Sequence, residues 1–266
     1  MTALTTAIKV VKFELSDLAR SRWLLAYVIS VALVTDALLR FNGADQRAVL
    51  GLVNVVLLIV PLVAVTFGTM HLYARRDFIE LLLAQPLRRP HIFLGLYLGL
   101  TIPVSLGMVV GVAVPAAWHG AWTASLAGAL VTLLAVALAL TAVFVALAFC
   151  IAVRCEDKVR GLAIAMAVWM AFAVLYDGAV LLLVSIFADA PLERPVLAAM
   201  LANPVDLARV LLLLQLDISA LMGYTGAVLK NAFGSVQGVA LATAALSLWV
   251  AVPLWLGGRS FVRKDF

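Results

Sequence analysis

The chain has 266 residues, of which 65% are hydrophobic and 12% charged, with a formal net charge of +5 and a mean hydropathy of +1.14. A soluble domain carries about 45–50% apolar and about 25% charged residues, so an ordinary soluble fold is excluded and a polytopic helical membrane protein is indicated. The basic residues sit in loops beside apolar runs, where they report topology; nucleic acid is not an expected partner.

The first 22 residues carry Lys9, Lys12, Glu14, Asp17, Arg20 and Arg22 with no apolar core, so they do not read as a cleavable signal peptide. Residues 5–22 read instead as an amphipathic helix, with Ile8, Val11, Leu15 and Leu18 on one face and Lys9, Ser16 and Arg20 on the other. A basic amphipathic helix just before a span lies in the membrane interface, as an anchor or as an elbow that positions a partner.

Six spans are expected, over 23–39, 50–72, 92–117, 123–153, 161–188 and 236–257. Pro61, Pro103 and Pro115 lie inside them and suggest kinks. Fourteen of the nineteen Lys and Arg residues fall in segments on one side of this arrangement and five on the other. By the charge bias of membrane insertion, the fourteen-residue side is cytoplasmic, and both termini lie there.

Between the second and third spans the chain reads A-R-R-D-F-I-E-L-L-L-A-Q-P-L-R-R-P-H (residues 74–91). The segment is too short to cross a bilayer and belongs at its surface. A helix is expected from Arg75 to about Ala84, opening on Arg75, Arg76 and Asp77. It places Phe78, Leu82 and Gln85 on one face, with Glu80 among its charges, and stops before Pro86. Arg88 and Arg89 lead into the next span. A surface helix tied to two spans is suited to passing force between the membrane and a protein docked beneath it.

Residues 189–235 form the one large external segment and are unusually apolar. Asn203-Pro204 reads as a helix start, with Asn as cap, Pro at the first position and Asp206 in the first turn. Arg209 follows, and Asp217 and Gly223 mark the next break. These short helices either offer an external surface to a partner or fold as a lid over their own spans.

Asp177 is the one acid well inside a span. It is either a functional carboxylate or, with Gly178, a helix break facing a wet outer vestibule. Met166 and Met170 are read as packing residues rather than a soft-metal path. His71 and His91 belong at one face and His119 at the other, so no metal site is expected. Cys150 and Cys155 suit neither a redox motif nor, on the reducing side, a disulfide. There is no phosphate-binding G-x-x-x-x-G-K-[ST], so the chain is not expected to be an enzyme or to hold a cofactor itself.

The stretch E-L-L-L-A-Q-P-L-R-R (residues 80–89), the segment F-E-L-S-D-L-A-R-S-R-W (residues 13–23) and the six spans together resemble the ABC-2 class of ABC-transporter permeases. The external N-P-V-D-L-A-R (residues 203–209) is similar to an element of its NosY-like branch, which serves copper loading of nitrous-oxide reductase. The resemblance implies an all-α fold in one transmembrane domain over 1–266. Residues 1–22 would form an elbow, 74–91 a coupling helix and 189–235 an external helical segment. It also implies an inner-membrane homodimer in contact with lipid and with two copies of a separate ATPase subunit, which would bind ATP and Mg.

The coupling residues would be Arg75, Arg76, Asp77, Phe78, Glu80, Leu82, Gln85, Pro86, Arg88 and Arg89. A periplasmic partner would meet Asn203, Pro204, Asp206, Arg209 and Asp217. Two other functions stay open at this point: a conventional exporter of lipid, drug or peptide, and an ion-coupled secondary transporter using Asp177.

Overall fold

The structure, a computed structural model, describes residues 21–43, 45–84, 88–186, 198–215 and 236–264. The expected elbow, Gln85, Pro86, Asp217 and most of 189–235 lie outside the described residues. All regular structure among the described residues is helical: α1 (Arg22–Asn42), α2 (Gln46–Ala74), α3 (Arg76–Leu83), α4 (Arg89–Trp118), α5 (Ala127–Arg154) and α6 (Lys158–Met170) come first. A π-helical turn, Ala171–Leu175, joins α6 to α7 (Tyr176–Ile186), followed by α8 (Pro204–Gln215) and α9 (Val236–Arg263).

Among the described residues, six helices are long and apolar enough to cross a membrane: Arg22–Asn42, Gln46–Ala74, Arg89–Trp118, Ala127–Arg154, Lys158–Val180 and Gly238–Arg263. They coincide with the six spans expected from hydropathy. Caps mark several ends as their residue types require. The Asp45 carboxylate accepts from Gln46 N at the start of α2, and the Asp157 carboxylate accepts from Val159 N at 2.8 Å at the start of α6.

Small residues set the packing. A Cβ on Gly111 of α4 would stand 2.7 Å from Val31 Cγ1, and one on Gly107 2.9 Å from Val28 Cγ2, so α1 lies directly against this face. Gly68 brings α2 equally close to Ala148 of α5, where a Cβ would meet the Ala148 Cβ at 2.6 Å. In a membrane, where lipid tails are as apolar as leucine, such close backbone approach supplies the van der Waals contact that holds spans together. The fully buried Phe144 and Phe149 of α5 fill the centre. The Phe149 ring lies edge-on to Phe93 (5.8 Å between centroids) and to Tyr97 (6.0 Å).

The α3 stretch, the 155–157 loop and the end of α9 meet at one end of the bundle, called here the basic end for its arginines and lysines. At the opposite end His119, after α4, hydrogen-bonds Asp36 of α1 at 2.7 Å, and Arg40 meets the other oxygen of the same carboxylate at 2.8 Å.

One expectation needs correction and one open alternative narrows. Asp177-Gly178 does not break the fifth span: both residues lie inside α7, and the irregularity is the π turn one helical turn earlier. Of the two readings left open for the segment around α8, a partner surface or a lid over its own spans, its described residues favour the lid. Asn203, Pro204, Val205, Asp206, Leu207 and Ala208 are all buried in the chain's own bundle.

Candidate functional site

Two constellations stand out, one at the basic end and one between α7 and α8. At the basic end, α3 is anchored by Ile79, which is fully buried, with Leu82 and Leu83 packed beside it. The helical face expected from sequence holds Phe78, Leu82 and Gln85 and leaves out Ile79, whose apolar side chain beside Phe78 is the available signal. The helix runs Arg76–Leu83, so Arg75 is its cap position. The outward face carries Asp77, Glu80 and Leu81, all exposed. Leu81, next to Glu80 on this face, is 68% exposed.

Arg76 does not point outward. Its guanidinium lies 4.8 Å over the Tyr73 ring and donates to the carbonyls of Cys155 (3.2 Å) and Glu156 (2.7 Å). Tyr73 Oη donates to the Cys155 carbonyl at 3.0 Å, in the same loop. A Cβ on Gly161 would stand 1.9 Å from Tyr73 Oη, so only glycine admits the tyrosine there. The α5–α6 loop is thereby fastened to the base of α3. Arg75 lies 5.9 Å over the Phe78 ring. Arg89 also faces inward, donating to the carbonyls of Val262 (3.0 Å) and Lys264 (2.9 Å) at the end of α9. Lys264 Nζ in turn donates to Val153 O at 3.0 Å, so cations occupy the negative ends of α5 and α9. Of the expected contact residues, Arg76 and Arg89 are thus internal fasteners, while Asp77, Glu80 and Arg88 remain exposed.

The second constellation joins residues far apart in sequence. Arg209 Nη1 lies 2.8 Å from Asp177 Oδ2 and 3.2 Å from Asp206 Oδ1. Asp177 is therefore not an unpaired intramembrane carboxylate. Asn203 caps α8 by accepting from Val205 N at 2.9 Å, and its amide nitrogen donates at 2.9 Å to Phe172 O inside the π turn. A π turn displaces carbonyls from their α-helical partners, and Asn203 supplies an external donor at that point. Tyr176 Oη donates to Ala199 O at 2.7 Å, adding a third tie between the fifth span and the lid. Burial pushes the Asp206 carboxyl up to about 6; Arg209 opposes that rise and the Asp177 charge adds to it. With Asn203, Pro204 and Asp206 buried, a partner could not touch them while α8 is seated.

This is a multi-pass membrane protein with a short amphipathic helix between its second and third spans and a lid fastened by an Asp–Arg–Asp cluster. The ABC-2 family transporter protein family matches it over residues 8–266, and the chain belongs to that family. It is accordingly a membrane permease subunit of an ABC transporter, associated with an ABC ATPase subunit. Comparison with curated proteins finds no match to this chain.

Proposed function

We propose that this permease converts ATP hydrolysis by a separate ATPase subunit into movement of its spans through α3. The observation that carries the proposal is the construction of α3. Ile79 roots it in the bundle and Arg76 and Tyr73 fasten it to the 155–157 loop, while Asp77, Glu80 and Leu81 are offered outward. A helix held at Arg76 and Ile79, with Tyr73 of α2 bracing the same loop, is suited to transmit a push. An exposed leucine beside two exposed acids suits a cleft that offers both apolar and basic contacts.

In this reading ATP and Mg are bound by the partner, which docks in two copies on a homodimer of the permease. The basic end is cytoplasmic and the membrane is the inner membrane, in keeping with the distribution of lysine and arginine. A thinly covered fifth span supports the homodimer: in its most apolar window 11% of the residues are buried. The likeness of residues 203–209 to the NosY-like element supports a role in copper-site maturation of nitrous-oxide reductase, with motion passed to a periplasmic protein. Because α8 is seated, that protein would receive movement of the lid and not dock on Asn203 or Asp206 directly.

A conventional exporter is the second reading, favoured by one feature. A cavity of about 600 Å³ near the basic end is lined by Trp23, Phe67, Met70, Leu100 and Val104, with Arg75 and Lys158 among its walls. Such a chamber suits an amphiphile with an anionic head. Secondary transport through Asp177 loses its support, because that carboxylate already has a guanidinium partner.

The test is co-purification with candidate ABC ATPase subunits, for wild type and for Glu80→Arg with Leu81→Glu. The coupling reading expects the wild type to retain the ATPase and the variant to lose it. A wild type that binds no ATPase, or a variant that binds and stimulates hydrolysis normally, would sink it.

A further inference from the structure

A groove of about 660 Å³ runs between the start of α4 and the end of α9 at the basic end. Its walls include Phe93 and Leu94 on one side and Trp255 on the other, and Gly258 lies between them. A Cβ on Gly258 would sit 3.6 Å from the Phe93 ring, so the absent side chain leaves the groove open down to that ring. Trp255 stands 62% exposed at the rim. Arg259 and Arg263, one helical turn apart, line the same groove. The Arg259 guanidinium lies 5.5 Å over the Trp255 ring, and neither arginine is paired with a carboxylate among the described residues.

We infer that this groove binds an anionic glycerophospholipid, one acyl chain lying between α4 and α9 and its phosphate held by Arg259 and Arg263. Charge complementarity selects the occupant. Two guanidiniums without acid partners, at the terminus of a span, face the depth at which phospholipid phosphates lie. The wall below them is aromatic and aliphatic and offers nothing to a polar tail. The fork of an arginine matches phosphate oxygens two at a time, which a zwitterionic headgroup satisfies at a cost, since its ammonium then faces the same pair of cations. Arg89 is already spent on the α9 carbonyls of Val262 and Lys264, so the two arginines on α9 are the ones left for a ligand.

The site goes beyond coupling to the ATPase and is tested separately. The intact permease would be reconstituted into nanodiscs of phosphatidylcholine with a minor fraction of phosphatidylglycerol, then extracted, and the retained lipid measured by native mass spectrometry. The proposal expects phosphatidylglycerol to be retained over phosphatidylcholine. Removing both charges, in Arg259→Gln with Arg263→Gln, should reduce that retention about 30-fold, at roughly fivefold per arginine. Gly258→Leu fills the groove without touching a charge and should also abolish selective retention.

Arg88→Gln with Arg160→Gln removes as many exposed charges from the same end and should leave retention unchanged. Equal loss in this control would assign the effect to bulk surface charge and overturn the proposal. Unchanged retention in Gly258→Leu would do the same. So would a native mass spectrum in which a second copy of the chain or the ATPase, rather than lipid, is what the Arg259 and Arg263 replacements release.

Discussion

Arg209 and Asp177 meet at 2.8 Å across 32 positions of sequence, fastening the lid helix α8 to the half of the fifth span beyond the π turn. The same guanidinium reaches Asp206, so one cation serves two acids. Removing it strands both. Arg209→Ala is expected to destabilise the permease by about 1–2 kcal/mol, a figure held down because Asp177 and Arg209 are each about a third exposed. Thermal unfolding in detergent would show it, and adding Asp177→Asn should recover part of the loss. No change in Arg209→Ala would mean that the cluster holds nothing together.

Asp206 should make stability depend on pH. Its carboxyl is raised to about 6 from an ordinary value near 3.8, so between these values the folded chain binds a proton that the unfolded chain does not. The stabilising contribution is full below about pH 4 and is lost as pH rises through about 6. Asp206→Asn should flatten the part of the stability curve between pH 4 and pH 7 that this group controls, by about 3 kcal/mol at most. An unaltered curve in the variant would assign the dependence to another group.

Asn203 performs two separable tasks, capping α8 and donating to Phe172 O in the π turn. Asn203→Asp keeps the acceptor and loses the amide donor, whereas Asn203→Ala loses both. The alanine variant should cost about 2 kcal/mol and the aspartate variant roughly half of that, by thermal melts at neutral pH. Equal melting temperatures for the two would show that the cap contributes nothing and that only the amide donor to Phe172 O matters.

Docking and transmission should separate at α3. Arg76→Met, or Tyr73→Phe, leaves Asp77, Glu80 and Leu81 in place, so the ATPase should still bind while its stimulation by the permease falls severalfold. Glu80→Arg with Leu81→Glu should lose binding itself. Pull-down and ATP hydrolysis, measured on the same preparations, distinguish the two outcomes. Loss of binding in Arg76→Met would place that guanidinium in the docking surface.

The spans were legible because twenty apolar residues in a row have few other uses, and the α8 cap was legible because Asn-Pro is a local signal. The π turn was not, since A-F-A-V-L (residues 171–175) reads like any other piece of span. What stabilises its irregular backbone includes an amide 31 residues away. Asp177 drew notice as a lone acid, yet its partner Arg209 was read as part of an external surface; pairing across distant segments leaves no periodicity to find. Arg76 reads from sequence as a docking residue because charges on a short surface helix usually face water. Its inward turn depends on a tyrosine ring and loop carbonyls that only the fold brings near.

The attachment of α3 to its neighbouring loop runs from the side chains of Arg76 and Tyr73 to main-chain oxygens of Cys155 and Glu156. A carbonyl is supplied by every amino acid. The loop can therefore drift in composition, Glu156 included, without loosening the joint, provided its length and course are kept. The opposite half of the joint has no such freedom, for few residues can replace an arginine stacked on a tyrosine above a glycine. Tolerance to substitution should thus be lopsided across one contact: high where the chain gives acceptors, low at Tyr73, Arg76 and Gly161.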